Sequence, residues 1–433
     1  MSVVRKSLLT VCGTVVLGVA NLGIGVILAR WLSPSGLGQY ALLTSTATLL
    51  GILGSLGLGG ASIYFINSLG IEKRLVTTVV LRTALTVAVA LAVVATIALR
   101  WEPYFGVLPA TAAGAVSLLV LGKVVLPSAL LLLMAAMKVL KYVMIQVMPS
   151  LVLLTLIAVL ALGDQLTIGP ALWSAAVGQV LAVVVLVWFL RADFDWRRRF
   201  CWSELSPLLG YGVLINLAHF AYNAGMEGGL FLLRALAPEF DEVGFYQAAL
   251  RLGSVVVMMV MSVGPLLFSK YASSDEVSRP RQVERTSRVF WVAVFAIVVV
   301  MEGAARPIVL LLFGPEFEPA VPVLQVLLLG MAARALVTPM LQMFYSVGAP
   351  GWVLAILGVN VLVMVALMGL LIPSRAAVGA ALSFVLANVV ALIAGYALAR
   401  MRYGVHLRNC FLIRRSDVRY LVTNLRMGVV NEH

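Results

Sequence analysis

Hydrophobic and polar positions separate along this chain on the scale of whole membrane spans. Averaged over windows of about 19 residues, twelve apolar stretches stand out, at 7–29, 41–66, 75–99, 109–137, 143–163, 168–190, 205–233, 243–269, 288–313, 321–346, 352–373 and 377–399. Each is close to the ~20 residues a helix needs to cross ~30 Å of hydrocarbon. A backbone amide in hydrocarbon has no water to bond, so each stretch is predicted to be a helix that satisfies its own amides. The predicted fold class is an all-α integral membrane protein with about 12 transmembrane helices. The first run, Ser7 to Ala29, is longer than a signal-peptide core. It is threaded with Gly13, Gly18, Gly23 and Gly25, so it reads as a packed span and not a cleaved leader.

Composition agrees: 62% of the 433 residues are hydrophobic, 11% are charged, and the mean hydropathy is +1.06. A net charge of +13 would by itself suggest a nucleic-acid partner, but its placement does not. With the loops taken in alternation, one side holds 22 Lys and Arg residues, from Arg5 and Lys6 through Lys73, Lys138, Arg197 to Arg199 and Arg279 to the arginines of 400–426. The other side holds five, Arg30, Arg100, Arg234, Arg306 and Arg375. The positive-inside bias then puts both termini in the cytoplasm. The charge is topological, with attraction to anionic headgroups added, and no nucleic acid is called for.

Polar positions inside the spans carry the functional signal. The seventh span holds Asn216, His219, Asn223, Glu227 and Arg234. At roughly 100° per residue these five share an arc of about 80°. Such a stripe cannot face lipid, so it is predicted to face other helices or a water-filled cavity. The chain also repeats itself weakly. Arg30, Leu32 and Pro34 recur as Arg234, Leu236 and Pro238, and Gly38 and Tyr40 recur as Gly244 and Tyr246. Both sets fall where a half leaves its first span for its second. Six spans is an even number, so the repeat is parallel, with its pseudo-two-fold along the membrane normal and a cleft between two six-helix bundles. The halves are placed at 1–200 and 201–400, with a basic tail at 401–433.

Two further runs carry a resemblance. The early one is Leu28-Ala29-Arg30-Trp31-Leu32, Pro34 and Gly36-Leu37-Gly38-Gln39-Tyr40, then Gly57-Leu58-Gly59. The late one is Leu312-Phe313-Gly314-Pro315-Glu316-Phe317, then Ala320, Leu324, Leu327, Gly348, Asn360, Ile372-Pro373 and Gly379-Ala380-Ala381. In order and spacing, over residues 5–400, the chain resembles the polysaccharide-transport branch of the multidrug/oligosaccharidyl-lipid/polysaccharide (MOP) flippase superfamily, the branch of O-antigen and exopolysaccharide repeat-unit flippases. The resemblance implies two bundles rocking about a central cavity in the bacterial inner membrane. It implies an undecaprenyl-diphosphate-linked oligosaccharide as substrate, for O-antigen, capsule or exopolysaccharide synthesis, with polymerase and chain-length machinery as partners. It supplies no site residues.

The site is therefore predicted from intramembrane charge. Lys123, Arg251 and Arg334 fall within spans 4, 8 and 10, and Glu227 and Glu302 within spans 7 and 9. Burying such a charge costs at least ~2.5–3.5 kcal/mol. Carboxylates can escape that cost by protonation, but Arg cannot. The balance favours an anionic substrate such as a lipid diphosphate over an organic cation. Lys123, Arg251, Arg334, Asn216 and Asn223 are the candidate substrate contacts. His219, Glu227 and Glu302 are the candidate proton-coupling groups.

Blander readings stand beside these. Lys123 and Arg251 would snorkel; Glu302 and Arg306 would form a local ion pair one turn apart; and Gln325, Gln342, Asn360 and Asn388 would bond helix to helix. Tyr40, Tyr246 and Trp101 would sit in interfacial belts. Thr10, Thr14 and Asn21 form a polar stripe on span 1.

Cys12, Cys201 and Cys410 show no disulfide or metal spacing, no phosphate loop is present, and no cofactor is predicted. A cation or drug antiporter and a cell-wall precursor flippase remain as alternatives. So does a membrane polymerase or ligase, although the outer loops are short for one. The tail, with Phe411, Leu412, Ile413, Val418 and Leu421 among basic residues, is expected to lie on the inner leaflet or stay unstructured. Deletion of 405–433 is expected to leave transport intact.

Overall fold

The computed structural model describes residues 3–67, 69–109, 111–195, 202–237, 239–261 and 263–411. Cys201, Pro238, Arg197 to Arg199, Leu412, Ile413, Val418 and Leu421 lie outside the described residues. The first half comprises α1 (Val3–Trp31), α2 (Pro34–Ser55), α3 (Leu58–Asn67), α4 (Lys73–Ala98), α5 (Glu102–Phe105), α6 (Ala112–Ala135), α7 (Val139–Leu162) and α8 (Ile168–Leu190). The second comprises α9 (Trp202–Leu236), α10 (Phe240–Met261), α11 (Gly264–Ala272), α12 (Arg279–Gly303), α13 (Ala305–Phe313), α14 (Ala320–Ser346) and α15 (Pro350–Tyr403), followed by α16 (Leu407–Phe411).

Eleven helices among the described residues are long and apolar enough to span a bilayer, and one of them supplies two spans. At 1.5 Å per residue the 54 residues of α15 would extend about 80 Å. Instead the helix folds at Ala376, where φ is 44° and ψ is −125°, three residues after Pro373. Gly379 lies against the backbone of Leu371 and Ile372, eight and seven residues upstream, so the chain has doubled back. Residues 350–375 and 377–403 are separate arms, so the candidate spans among the described residues number twelve, as the hydropathy predicts. The second span is likewise broken, at Leu56 (φ 50°) and Gly57 (φ 70°). Gly57 abuts the backbone of Gly212 on α9, leaving no room for a side chain.

Lipid tails are as apolar as Leu, so helices in a bilayer associate by close packing at small residues. Within the first half, Gly178 of α8 sits on the Pro149 carbonyl of α7, where a Cβ would come to 2.7 Å, and Gly122 of α6 receives Gln179 of α8. Large apolar side chains such as Val93, Ile97, Leu362 and Ile393 point outward instead, as a lipid-facing surface requires. In the first half α1 packs on α7, α4 on α6, and α8 on α6 and α7; in the second, α15 packs on α9 and α14, and α10 on α14. The halves meet mainly where α2 lies against α10 and α9.

That seam carries the repeat seen in the sequence. Gly38 and Gly244, the equivalent glycines, lie against each other near the starts of α2 and α10. A Cβ on Gly38 would come within 2.8 Å of the Gly244 amide nitrogen, and one on Gly244 would collide with the Pro34 carbonyl. The contact lies at the end of the molecule where α1 and α9 finish and α2 and α10 begin.

Two expectations change. Tyr40 and Tyr246 are buried, at 2% and 0% exposure, so they are not belt residues, whereas Trp101 is exposed. Each sits on a helix at the seam between the halves, and Tyr246 lays its hydroxyl against Gly229 of α9, so neighbouring helices cover both rings. The start of the tail is also packed. The Arg288 guanidinium donates to the Asn409 carbonyl, the His406 amide donates to Glu284 Oε1 at 2.8 Å, and Phe411 meets Trp291 edge-on. Burial pushes the Cys410 thiol up to about 12, so it stays neutral and inert at physiological pH.

Deleting 405–433 therefore removes packed residues, and that variant is expected to lose several °C of Tm. Thermal unfolding of the truncated and full-length chains in detergent checks this.

Candidate functional site

Between the halves lies a cavity of about 810 Å³. The first half contributes most of its wall: Asn21 of α1, Tyr40, Thr44, Ser45 and Thr48 of α2, Lys123 of α6, Gln146 and Ser150 of α7, and Gln179 of α8. The second half contributes His219 and Glu227 from α9, and Gln247, Arg251 and Ser254 from α10. Helical spacing explains the grouping. Thr44 and Thr48 are one turn apart on α2, as are Gln247 and Arg251 on α10, and His219 and Glu227 are two turns apart on α9. Thr44 Oγ1 donates to the Tyr40 carbonyl at 3.0 Å and Thr48 Oγ1 to the Thr44 carbonyl at 2.9 Å, so each hydroxyl oxygen can still act as an acceptor.

The charges in this cavity come from both halves. Ser45 Oγ donates to Glu227 Oε2 at 2.6 Å, bridging α2 to α9. Glu227 lies within electrostatic reach of Lys123 and of Arg251, and Arg251 within reach of Tyr40. Two cations thus face one carboxylate in a confined space walled by helices. Low-dielectric walls strengthen such fields, and the surplus is positive.

Of the predicted site residues, the structure brings Lys123, Arg251, His219 and Glu227 together around the cavity. Asn216, Asn223, Arg334 and Glu302 are placed elsewhere. Asn216 is 7% exposed and bonds to α2, accepting from Ser55 Oγ at 2.9 Å and donating to the Ile52 carbonyl at 3.0 Å. Asn223 donates to the His219 carbonyl of its own helix at 2.8 Å. Arg334 is 2% exposed inside the second half. Its guanidinium donates to the Tyr222 carbonyl and to Asn388 Oδ1 at 3.4 Å, with its centre 3.9 Å over the Tyr222 ring. Carbonyl and amide acceptors and a ring face replace a counterion, so this charge is held by the bundle and is not offered to the cavity.

Glu302 is absent from the cavity wall. Arg306 pairs with Glu318 at 2.8 Å instead of with Glu302. The α9 stripe is accordingly an inter-half seam over most of its length: Asn216, Glu227 and Arg234 each bond to the first half, and only the middle opens onto the cavity.

Sequence reasoning missed Ser45, Thr44, Thr48, Gln146, Gln179 and Gln247. The signal was the polar row on span 2, where Tyr40, Thr44, Ser45 and Thr48 recur at helical spacing. Isolated glutamines on α7, α8 and α10 carried no such pattern. Asn21, part of the span 1 stripe, does reach the cavity and accepts from Ser150 Oγ at 3.2 Å.

Solved structures with a similar fold include transporters. An inward-facing multidrug-resistance MATE transporter of the MOP superfamily superposes with a TM-score of 0.69 at 17% identity, covering 89% of this chain and 94% of that one. A MOP-superfamily transporter from Pyrococcus furiosus, described as having a binding pocket of reverse polarity, superposes with a TM-score of 0.64 at 15% identity, covering 92% and 95%. No curated protein matches the chain. The model of the family described as polysaccharide biosynthesis protein matches residues 3–268. That is more than half of a chain with the MOP transporter fold, and the protein belongs to the polysaccharide biosynthesis protein family.

Proposed function

We propose that this membrane transporter flips an undecaprenyl-diphosphate-linked oligosaccharide across the bacterial inner membrane by alternating access. The observation that carries the reading is the cavity between the halves, where Lys123 and Arg251 face Glu227. A diphosphate is compact and multiply charged, and guanidinium and ammonium groups bind it by charge-assisted hydrogen bonds. The hydroxyl and amide groups of Ser45, Thr48, Gln146 and Gln179 suit sugar hydroxyls. About 810 Å³ is within the usual range of ligand pockets and suits a headgroup with its first sugars while the prenyl chain stays in lipid. In this reading both termini are cytoplasmic, residues 1–200 and 201–400 rock against each other, and a polymerase consumes the product at the outer leaflet.

The test is protein-dependent flipping of a fluorescent lipid-diphosphate oligosaccharide in proteoliposomes. Flipping that inorganic pyrophosphate inhibits and organic cations do not is the expected result. Cation efflux without lipid flipping would replace this reading with that of a cation or drug antiporter.

His219 and Glu227 both reach the cavity, and in the proposed cycle they carry its proton coupling. An imposed pH gradient is expected to change the flipping rate of the native chain several-fold. The His219→Ala, Glu227→Gln variant is expected to lose that response, and an unchanged response in the variant would remove the coupling role.

A further inference from the structure

Arg30 and Arg234, the repeat's equivalent arginines, lie outside the cavity and make the same contact in opposite directions. Arg30, in the last turn of α1, donates from Nε to the Leu312 carbonyl at 2.9 Å and from Nη2 to the Leu311 carbonyl. These are among the final carbonyls of α13, in the second half. Arg234, in the last turn of α9, donates from Nε to the Tyr104 carbonyl at 2.7 Å and from Nη2 to the Pro103 carbonyl at 3.1 Å. These belong to α5, in the first half.

The receptors are themselves a repeat. Pro103-Tyr104-Phe105-Gly106 and Leu311-Leu312-Phe313-Gly314 are offset by 208 positions. Each has a buried Phe and ends in a glycine of positive φ, 76° and 99°. Each half thus closes its third span with a short helix whose last carbonyls lack intrahelical partners. Each half also sends the guanidinium from the end of its first span to fill the other half's vacancy.

Chemistry favours arginine here. A planar fork meets two successive carbonyls at once, which an ammonium cannot, and a cation suits a helix C-terminus. On the α9 side the Arg234 guanidinium also lies 3.9 Å over the Phe240 ring, and Tyr104 Oη donates to the Phe231 carbonyl at 2.8 Å. The Arg234–Phe240 contact braces the guanidinium from within the second half, and the Tyr104–Phe231 bond spans the two halves, at the end where Gly38 and Gly244 bring α2 and α10 into backbone contact.

We infer that Arg30 and Arg234 are positioning residues for transport. They are two equivalent latches that hold the halves together at the end where α1 and α9 finish, and both release when the cavity opens there. The contacts are to carbonyls, so release exposes no carboxylate, and water can take over each half of the bond. The inference rests on the two halves moving relative to each other, as in the proposed function, and not on which substrate is carried.

The test uses the full chain in nanodiscs without substrate, with its three cysteines replaced by Ser. Spin labels are placed at Trp101→Cys and Glu316→Cys, exposed positions on opposite halves at the latched end. A second pair, Trp101→Cys with Leu162→Cys, lies within one half. The latched chain is expected to give mainly one short inter-half distance. Arg30→Gln with Arg234→Gln is expected to raise the longer-distance population at least tenfold, with the within-half pair unchanged. Single Arg→Lys variants, which keep the charge and lose the fork, are expected to fall between.

An inter-half distribution that matches the latched chain while Tm falls would make the arginines mere helix caps and overturn the inference. If the double variant fails to fold, the Lys variants decide: an intermediate distribution supports the latches, and an unchanged one overturns them. Lost flipping with an altered distance distribution leaves the latches standing, whereas cation efflux in place of flipping counts against the substrate reading alone.

Discussion

Replacing Lys123 by Met and Arg251 by Leu in one chain is expected to slow flipping of the lipid-linked diphosphate more than about 100-fold, and Tm is expected to be held or raised once Glu227→Gln is added. A hydrogen bond to a charged group contributes about 1.5–3 kcal/mol, and 1.4 kcal/mol is a tenfold change. Each single variant should therefore lose roughly 10- to 100-fold. The two cations share Glu227 as a neighbour, so their effects are not expected to add simply.

The stability side runs the other way. Taking charges out of water costs several kcal/mol per ion, and Met and Leu carry no such cost. Glu227 keeps its bond from Ser45. A triple variant that adds Glu227→Gln removes the carboxylate as well and separates loss of substrate attraction from loss of internal balance. The triple variant should fold and still not flip the lipid. Flipping assays beside thermal unfolding read both effects. A well-folded double variant that flips at the native rate would remove these residues from the site.

How far the sequence carried this site depends on the kind of fact each residue expresses. Hydropathy and charge asymmetry concern one helix against the solvent, and the spans read from them agree with the helices, down to the break between 373 and 377. Helical spacing tells which residues share a face, and it grouped Asn216, His219, Glu227 and Arg234 on α9. It does not tell what the face meets. Asn216 meets an α2 carbonyl, Glu227 a hydroxyl at the cavity, and Arg234 the carbonyls of α5, three partners in one stripe.

Arg334 shows the limit most sharply. Its cost of burial was evident from the sequence, but its compensation by the Tyr222 carbonyl and ring depends on the Arg334 side chain reaching from α14 to α9 in the assembled second half. No local pattern encodes that packing. The repeat was legible as identities. That its glycines touch, and that its arginines reach across to each other's halves, are properties of the assembled pair.

That contact between repeat glycines leads to the second large effect. Gly244→Ala is expected to destabilise this conformation without destabilising the fold. An added Cβ collides with the Pro34 carbonyl of the other half, and overpacking of this kind costs about 1–3 kcal/mol. The cost applies only while α2 and α10 touch. It shifts the balance between conformations by roughly 5- to 150-fold toward opening at that end, by the ordinary relation between coupling energy and population. Gly38→Ala, which meets the Phe240 carbonyl and the Gly244 amide, should act the same way, and the pair together should slow turnover because the return step is penalised.

Gly178→Ala is the control. Its Cβ would come to 2.7 Å from the Pro149 carbonyl, but α7 and α8 belong to one half, which moves as a unit in the proposed cycle. That variant should lose several °C of Tm and keep the native inter-half distance. Spin-label distances between Trp101→Cys and Glu316→Cys, read beside Tm, separate the two outcomes. If Gly244→Ala lowered Tm as Gly178→Ala does and left the distance unchanged, the α2–α10 crossing would be part of a rigid core and not a seam that opens.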